Sequence, residues 1–388
     1  MENLLLIRPK KIDKNEEYKK KHFFESSKIK FSSSIQDIKL CNFFIIAVPT
    51  PIDKKNNPDL SLLKKACSDV GKVLKKNDTV VIESTVYPGV TEEICLPILQ
   101  KRSNLFKENN FNLGYSPERI NPGDKNHNLK KVIKVISGKN TKSLKAIKNI
   151  YKIILKDKIY SAKSIKVAES AKVIENIQRD VNIALTNELS IIFKKLNIDT
   201  KEVLETASTK WNFIKFNPGL VGGHCIGVDP YYLSYIAKKS GYQNKMILSG
   251  RAINNYMPQF IVKNFLKIFK KKNKSFKNKK VLILGFTFKE NCKDYRNTKV
   301  LDIVNLLQKK NIITHVTDPL LNSNEIKLNS KINFKSYSKV NLSNYNAIIL
   351  AVGHNQFKKI NLKLLKKKNI VIYDIKSFFK KQLVDERL

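Results

Sequence analysis

The chain has few of the features that mark a disulfide scaffold, a membrane protein or a nucleic-acid-binding surface. Its five cysteines (Cys41, Cys67, Cys95, Cys225 and Cys292) are odd in number and widely spaced, and no two form a CxxC pair. That excludes a disulfide framework or a zinc site of such pairs and fits reduced thiols in the cytosol. No metal is expected. The opening stretch Met1-Glu2-Asn3-Leu4-Leu5-Leu6-Ile7-Arg8 has four consecutive apolar residues, too few for a signal-peptide core. No apolar run approaches the roughly 20 residues of a membrane span. A cytoplasmic protein without a membrane partner is expected. Arginine is also scarce: only Arg8, Arg102, Arg119, Arg179, Arg251, Arg296 and Arg387 stand among 74 basic residues. The net charge of +41 is therefore carried by lysine, in runs such as Lys270-Lys271-Lys272 and Lys366-Lys367-Lys368. Abundant Ile and Asn accompany them, as a general coding bias would produce. No aromatic-interleaved basic stripe or zinc-finger spacing is present, so the lysines read as a solvated surface and no nucleic-acid partner is expected.

With 388 residues and 42% hydrophobic content, the chain can bury two or three cores. Short apolar strands alternate with helical stretches at both ends. Residues 42–48 read as a buried parallel strand ended by Pro49-Thr50-Pro51, followed by a helix over 60–74 and a strand over 79–84. Further strands are expected at 111–114 and near 132–137. From 165 to 196 the pattern is helical, with an apolar stripe of Val167, Ala171, Ile174, Val181, Leu185, Leu189, Ile192 and Leu196. A separate face carries Lys172, Asn176 and Arg179 at i, i+4 and i+7, either solvated or aimed into a cleft. The C-terminal part restarts the alternation, with strands at 280–285, 313–318, 346–352 and 369–373 and a helix at 298–308. The fold class is α/β: two doubly wound, Rossmann-like lobes joined by a long central helix. Ligands of such sheets bind beyond the carboxyl ends of strands, which points to Phe286 to Arg296 and to Gly353-His354. Residues 270–280 are the best linker.

One loop stands out, Asn217-Pro218-Gly219-Leu220-Val221-Gly222-Gly223-His224-Cys225-Ile226-Gly227-Val228-Asp229-Pro230. Glycines let a backbone approach a ligand closely. A thiol at the end of such a loop, four positions before a carboxylate, reads either as a nucleophile or as a small buried hydrophobe in a turn.

Six stretches in one order closely resemble the UDP-glucose/GDP-mannose dehydrogenase family. They are 43–51, Glu83-Ser84-Thr85-Val86-Tyr87-Pro88-Gly89, Tyr115-Ser116-Pro117-Glu118-Arg119-Ile120-Asn121-Pro122-Gly123-Asp124, the helix 166–196, the Cys225 loop, and Leu284-Gly285-Phe286-Thr287-Phe288-Lys289-Glu290-Asn291. The resemblance runs from about residue 35 to the C-terminus. Its nearest branch is the UDP-N-acetylglucosamine/galactosamine 6-dehydrogenases of capsule and O-antigen synthesis, including the Vi-antigen type.

The resemblance implies oxidation of the C6 hydroxyl of a UDP-sugar to a carboxylate, with NAD as cofactor, through a thiohemiacetal and thioester on Cys225. Lys172 matches the cation beside the oxyanion and Asn176 its hydrogen-bonding neighbour. Asp229 matches the carboxylate that removes the proton, Thr85 a residue orienting water, and Glu118 the residue of thioester hydrolysis. Read singly, Glu118 could instead cap the next turn, and Thr85 could end a strand. Phe216, Asn217, Pro218, Gly219 and Gly222 match the substrate-wrapping loop, Phe288 and Lys289 a further substrate contact, and Arg119 joins them. Val48, Pro49, Thr50, Ser84, Thr85 and Arg296 match the NAD site. The placement of Arg119, Arg179, Arg251 and Arg296 in or beside these motifs favours anionic ligands. The resemblance also implies a homodimer or higher homo-oligomer through the central helix. The expected division is 1–160 for a truncated NAD-binding domain, 161–268 for a central helical domain and 269–388 for a UDP-sugar-binding domain.

Two departures accompany it. The family opens with a strand and a GxGxxG turn whose amides meet the NAD pyrophosphate, whereas the first glycine here is Gly71. An incomplete N-terminal lobe and very weak NAD binding are therefore expected, with a non-catalytic nucleotide-sugar-binding remnant as the rival reading. Pro122 and Val228 stand where the UDP-glucose branch carries glutamate and lysine, which argues for the N-acetyl branch.

Overall fold

The computed structural model describes residues 30–107, 109–120, 131–273, 275–322, 326 and 332–388. The readings placed on the opening stretch and on residues 121–124 lie outside these. The chain divides into two units, one of residues up to Asn176 with Val228–Gln243, the other of Ile177–Gly227 with Asn244–Leu388.

In the first unit, β1 (Phe43–Ile46), α1 (Ser61–Gly71), β2 (Thr79–Ile82), α2 (Leu96–Ser103) and β3 (Asn112–Tyr115) alternate as expected. The runs Phe-Phe-Ile-Ile and Thr-Val-Val-Ile suit pleated, buried backbone, and β1, β2 and β3 pair in parallel. β4 (Lys134–Gly138) joins β3 antiparallel, and β5 (Ile159–Ser161) lies parallel to β4. Between them runs α3 (Thr141–Leu155), whose N-terminus Asn140 caps by accepting a hydrogen bond from the Ser143 amide. Ile147, Tyr151 and Leu155 of α3 pack with Val81 and Ile136 of the sheet.

α4 (Ile165–Leu196) has the expected bounds. The apolar stripe is the exposed face: Val167, Ile174, Leu185, Ile192 and Leu196 are each 44–59% exposed. The buried face mixes Ile165, Ala168, Val173 and Ala184 with Glu169, Asn176, Asp180, Asn187 and Ser190. Periodicity locates an apolar face without saying what covers it, and here the inward polar groups are held by hydrogen bonds. Nor is the Lys172–Asn176–Arg179 face an ordinary solvated one, because Asn176 is buried and its two neighbours are half-buried. After α5 (Thr200–Ala207) the first unit resumes with α6 (Asp229–Lys239), so that Asp229 opens a helix.

The second unit continues with α7 (Lys245–Lys272), which carries Pro258 inside it and was not foreseen as one helix. It then builds β6 (Lys280–Leu284), α8 (Val300–Gln308), β7 (Ile313–Thr317), β8 (Asn333–Phe334), β9 (Ala347–Leu350), α9 (Leu362–Lys367), β10 (Val371–Asp374) and β11 (Glu386–Arg387). The strand order is β11-β10-β9-β6-β7-β8, with every pair parallel. The chain winds from β6 to one side and returns to start the other from β9, which is the doubly wound topology expected. Its switch point lies between β6 and β9, where ligands of this topology bind. α7 and α8 cover one face through Phe265, Phe269, Ile303 and Leu307, and Phe357, Leu362 and Leu365 cover the other.

Gly285 ends β6 with φ +91°, and a Cβ there would lie 2.5 Å from the Cβ of Val352 and 2.9 Å from its amide nitrogen. The strand ends on either side of the switch point thus touch backbone to backbone. Gly285→Ala is expected to lower the stability of the chain by about 2 kcal/mol or more. A denaturant midpoint unchanged from the wild type would show that this close approach is not required.

Candidate active site

In the first unit two of the residues expected at the chemistry, Lys172 and Asn176, act on a third, Asp229. Its carboxylate is buried at the N-terminus of α6 and accepts a 2.6 Å hydrogen bond from Asn176 Nδ2. Burial raises its pKa to about 6 against the hydrogen bond from Asn176 and the charge of Lys172, both of which favour the ionised form. Such a carboxyl is poised to exchange a proton near neutrality. Lys172 and Asn176, one helical turn apart on α4, therefore both act on Asp229.

The carboxyl ends of β1 and β2 are tied together. Ser84 Oγ accepts from the Val48 amide at 2.9 Å and donates to the Val48 carbonyl at 2.7 Å, while Thr50 Oγ1 donates to the Thr85 carbonyl at 2.7 Å. The Tyr232 hydroxyl of α6 donates to the Thr50 carbonyl. Ala47 and Pro49 stay exposed at the carboxyl end of β1, the edge at which α/β sheets bind dinucleotides. These residues fit that cofactor.

Glu118 Oε1 accepts from the amides of Arg119 and Ile120, both at 2.7 Å, as a turn cap does, while its Oε2 stands 3.7 Å from Lys134 Nζ. Arg119 is held by Glu175 at 2.7 Å and by the Ile133 carbonyl at 2.9 Å. Sequence reasoning missed Glu169, buried on α4, which accepts from the amides of Gly89 at 2.6 Å and Thr91 at 2.9 Å. It thereby anchors the turn that follows Thr85. Burial raises its pKa to about 6 against those hydrogen bonds. Its place three residues before Lys172, on one helical face, is the signal that could have found it.

The second unit brings the Cys225 loop onto the switch point. A Cβ on Gly222 would lie 2.9 Å from the Asn297 carbonyl oxygen and 3.2 Å from the Phe288 Cβ. Gly223, with φ +82°, rests against the Phe288 ring. His224 meets the same ring edge-on, with centroids 6.5 Å apart. Phe288 is fixed in turn by its amide, which donates to the Asp294 carbonyl at 3.0 Å. Cys225 is half-buried, and its thiol is among the groups that act electrostatically on Arg296. The Arg296 pKa is raised first by its hydrogen bonds to Asp294, with Cys225 and Cys292 adding to the pull.

Behind the loop, Lys376 bonds Glu290 at 2.9 Å, and Lys201 donates to the Ser377 carbonyl at 3.0 Å. Lys201, Lys215 and Lys376 line a cavity of about 180 Å³ together with Asn217 and Pro218. Phe216 is half-buried, while Asn217 and Lys289 are exposed. His354 and Asp318 form a buried pair, Nε2 to Oδ2 at 2.9 Å, while the Asn291 amide donates to His354 Nδ1 at 3.0 Å. That pair fixes the 286–291 segment. Three of the arginines expected to favour anionic ligands are already engaged: Arg119 with Glu175, Arg251 with Asp180 and Arg296 with Asp294. The cations around the cavity are lysines.

Comparison with known proteins places this arrangement in a class. Three family models match in order, all of the UDP-glucose/GDP-mannose dehydrogenase family: its NAD binding domain over residues 11–155, its central domain over 166–256 and its UDP binding domain over 282–381. The first begins well ahead of residue 35, where the resemblance was expected to begin. The fold and the matched domains are those of an NAD-dependent nucleotide-sugar dehydrogenase. The chain belongs to the UDP-glucose/GDP-mannose dehydrogenase family. It is similar to the UDP-N-acetyl-D-glucosamine 6-dehydrogenase of Salmonella typhi, at 48% identity over 97% of this chain and 89% of that protein. The enzyme of the same name from Pseudomonas aeruginosa is 47% identical over 94% of this chain and 86% of its own length. Among solved structures, the UDP-D-ManNAc dehydrogenase of Pyrococcus horikoshii matches with TM-score 0.83 and 28% identity, covering 95% of this chain and 85% of that one. This membership favours the enzyme over the non-catalytic remnant.

The raised pKa of Asp229 has a stability consequence. Between its ordinary value of 3.8 and about 6 the folded chain holds a proton that the unfolded chain releases. The stabilisation from that proton is complete below the unfolded value and is lost as pH rises through the folded one. Asp229→Asn is therefore expected to match the wild type near pH 4 and to exceed it above pH 7 by on the order of 2 kcal/mol. Parallel curves of unfolding free energy against pH would contradict this.

Proposed function

We propose that this chain oxidises the C6 hydroxyl of a UDP-N-acetylhexosamine to the uronic acid, for surface polysaccharide synthesis. The observation that carries the reading is the Cys225 glycine loop seated on Phe288 at the switch point of the sheet, in a chain 48% identical to a UDP-N-acetyl-D-glucosamine 6-dehydrogenase. Asp229 receives the hydroxyl proton, through water oriented by Thr85, and its pKa of about 6 suits that task. Cys225 Sγ adds to the carbon at the aldehyde level as a thiohemiacetal, which gives up a second hydride to become the thioester; water then opens the thioester with Glu118 assisting, releasing the thiol and the acid. Lys172 faces the oxyanion and Asn176 steadies the pair. NAD, when bound, supplies the hydride acceptor. Val48, Pro49, Thr50, Ser84, Thr85 and Arg296 hold it. Phe216, Asn217, Pro218, Gly219, Gly222, Phe288 and Lys289 receive the nucleotide sugar, with Lys201, Lys215 and Lys376 facing its diphosphate; Arg119 is proposed as a further substrate contact.

The exposed apolar face of α4 is the surface on which a second copy pairs. A stripe of Ile174, Leu185, Ile192 and Leu196 is costly to leave in water. Among the described residues no helix is long and apolar enough to cross a membrane, and the enzyme is proposed to work in the cytoplasm.

Three measurements test this. Cys225→Ser is expected to abolish net acid formation, because an oxygen ester forms and hydrolyses poorly where a thioester is needed; normal turnover to the uronic acid would remove Cys225 from the reaction. Lys172→Ala should lower kcat by about 10²–10³ while changing substrate binding little. A defect confined to KM would place Lys172 on a phosphate instead. Replacing Leu185 and Ile192 with lysine should convert an oligomer to a monomer by light scattering, and an unchanged mass would place the subunit contact elsewhere.

A further inference from the structure

We propose that Asn187 is a positioning residue for the glycine loop that ends in Cys225, and that the buried Asp180–Arg251 pair sets Asn187 in turn. The proposal rests on the reading of that loop as the nucleotide-sugar contact. Asn187 lies on α4, fully buried. Its Oδ1 accepts from the Gly219 amide at 2.7 Å, and its Nδ2 donates to the Gly219 carbonyl at 3.1 Å. One side-chain amide thus grips both polar groups of one residue, fixing the position and the rotation of the loop backbone. Gly219 adopts φ +155°, between the buried Pro218 and the half-buried Leu220. The loop from there to Gly223 has no regular secondary structure to set its course.

The grip is oriented from behind. Asn187 Nδ2 also donates to Asn254 Oδ1 at 2.8 Å, which settles which end of the Asn187 amide is nitrogen. Asn254 Nδ2 donates to Asp180 Oδ1 at 2.7 Å and to the Asp180 carbonyl at 3.0 Å. Arg251 Nη1 bonds the same Asp180 Oδ1 at 2.7 Å, and its Nη2 reaches Asn255 Oδ1 at 2.7 Å. The order of bonds is therefore Arg251, Asp180, Asn254, Asn187, Gly219, along α4 and α7 to the loop.

This network is a poor way to hold two helices together. Asp180 and Arg251 are both desolvated, and Asp180 Oδ2 is buried without a hydrogen-bond partner. Well-packed apolar side chains would stabilise the contact at least as well. What the polar chain supplies, and leucines would not, is a directional hold on the loop backbone. A loop held in its binding geometry does not lose affinity to the fraction of time spent elsewhere.

The test uses the whole chain, with UDP as the probe. Asn187→Ala and Asp180→Asn are expected to weaken UDP binding by about 10-fold or more in calorimetry, the second variant less than the first. The KM for the UDP-sugar should rise by a similar factor while the KM for NAD stays within twofold. Alkylation of Cys225 by iodoacetamide should quicken as the loop loosens, in the absence of any substrate. Unchanged UDP affinity and unchanged alkylation, with only the melting temperature lowered, would overturn the proposal. Should the variants not fold, hydrogen exchange on the wild type decides: a Gly219 amide exchanging as fast as exposed loop amides overturns it, and slow exchange supports it. If the wild type fails to bind UDP, the nucleotide-sugar reading of the loop falls, and the alkylation rates still judge the role of Asn187.

Discussion

Every polar side chain that α4 turns inward must find a partner, and the functional architecture of both units follows from where those partners lie. A buried carboxylate or amide left unsatisfied costs more than most single contacts return. Glu169 meets the amides of Gly89 and Thr91, which fixes the turn beyond Thr85. Asn176 meets Asp229, which fixes the first residue of α6. Asp180 meets Arg251 and Asn254, and Asn187 meets Gly219. None of these partners belongs to α4. One helix thus supplies side chains to two loops and one helix end, each at a place where the family resemblance puts chemistry or binding, and to the interior of α7. The same demand explains the exposed stripe: a helix that spends its inner face on polar groups carries its larger aliphatic residues outside.

Proximity of backbones does comparable work at the switch point of the second sheet. Gly285 at the end of β6 and Val352 just past β9 approach too closely for any Cβ on Gly285. Gly222 and Gly223 let the Cys225 loop lie on Phe288 in the same way. The two sets of glycines have different tasks. Gly285 closes the crevice floor, whereas Gly222 and Gly223 bring a reactive loop down to a ring held by its amide to Asp294. Substituting an alanine at any of the three displaces backbone or a packed ring, not a flexible chain end.

Much of this was legible in the sequence, and the remainder was hidden for identifiable reasons. Strands such as Val371–Asp374 and Thr79–Ile82 announce themselves because buried parallel strands are short and apolar on both faces. The bounds of α4 followed from its period, and the rule for doubly wound sheets pointed to Phe286 to Arg296 and to Gly353-His354 as the ligand edge. The side of α4 that is buried did not follow, because hydrophobic periodicity cannot tell a core face from a face awaiting another surface. Partnerships such as Asn187 with Asn254, or Glu169 with Gly89, join residues far apart in the chain, and no local spacing encodes them. The family resemblance names Cys225, Lys172 and Asp229, yet says nothing of Glu169. It also leaves the capping role of Glu118 to be seen in the structure.

The division of labour between arginine and lysine follows from the same accounting of charge. Arg119, Arg251, Arg296 and Arg387 are each committed to a carboxylate: Glu175, Asp180, Asp294 and Asp199. A planar guanidinium makes several directed bonds at once and suits a fixed pairing. Lysine is a flexible point charge, and Lys201, Lys215 and Lys376 ring the cavity beside Pro218. Of these, Lys376 is held by Glu290 across the crevice and Lys201 by a backbone carbonyl. An incoming diphosphate would compete with Glu290 for Lys376, and the carboxylate it displaced would stay next to it. The attraction is then a difference between two anions for one cation, which discriminates against weakly charged ligands more than a free lysine would. Under the proposed function, in a chain with a net charge of +41, that local competition would separate a nucleotide-sugar site from general attraction to anything anionic.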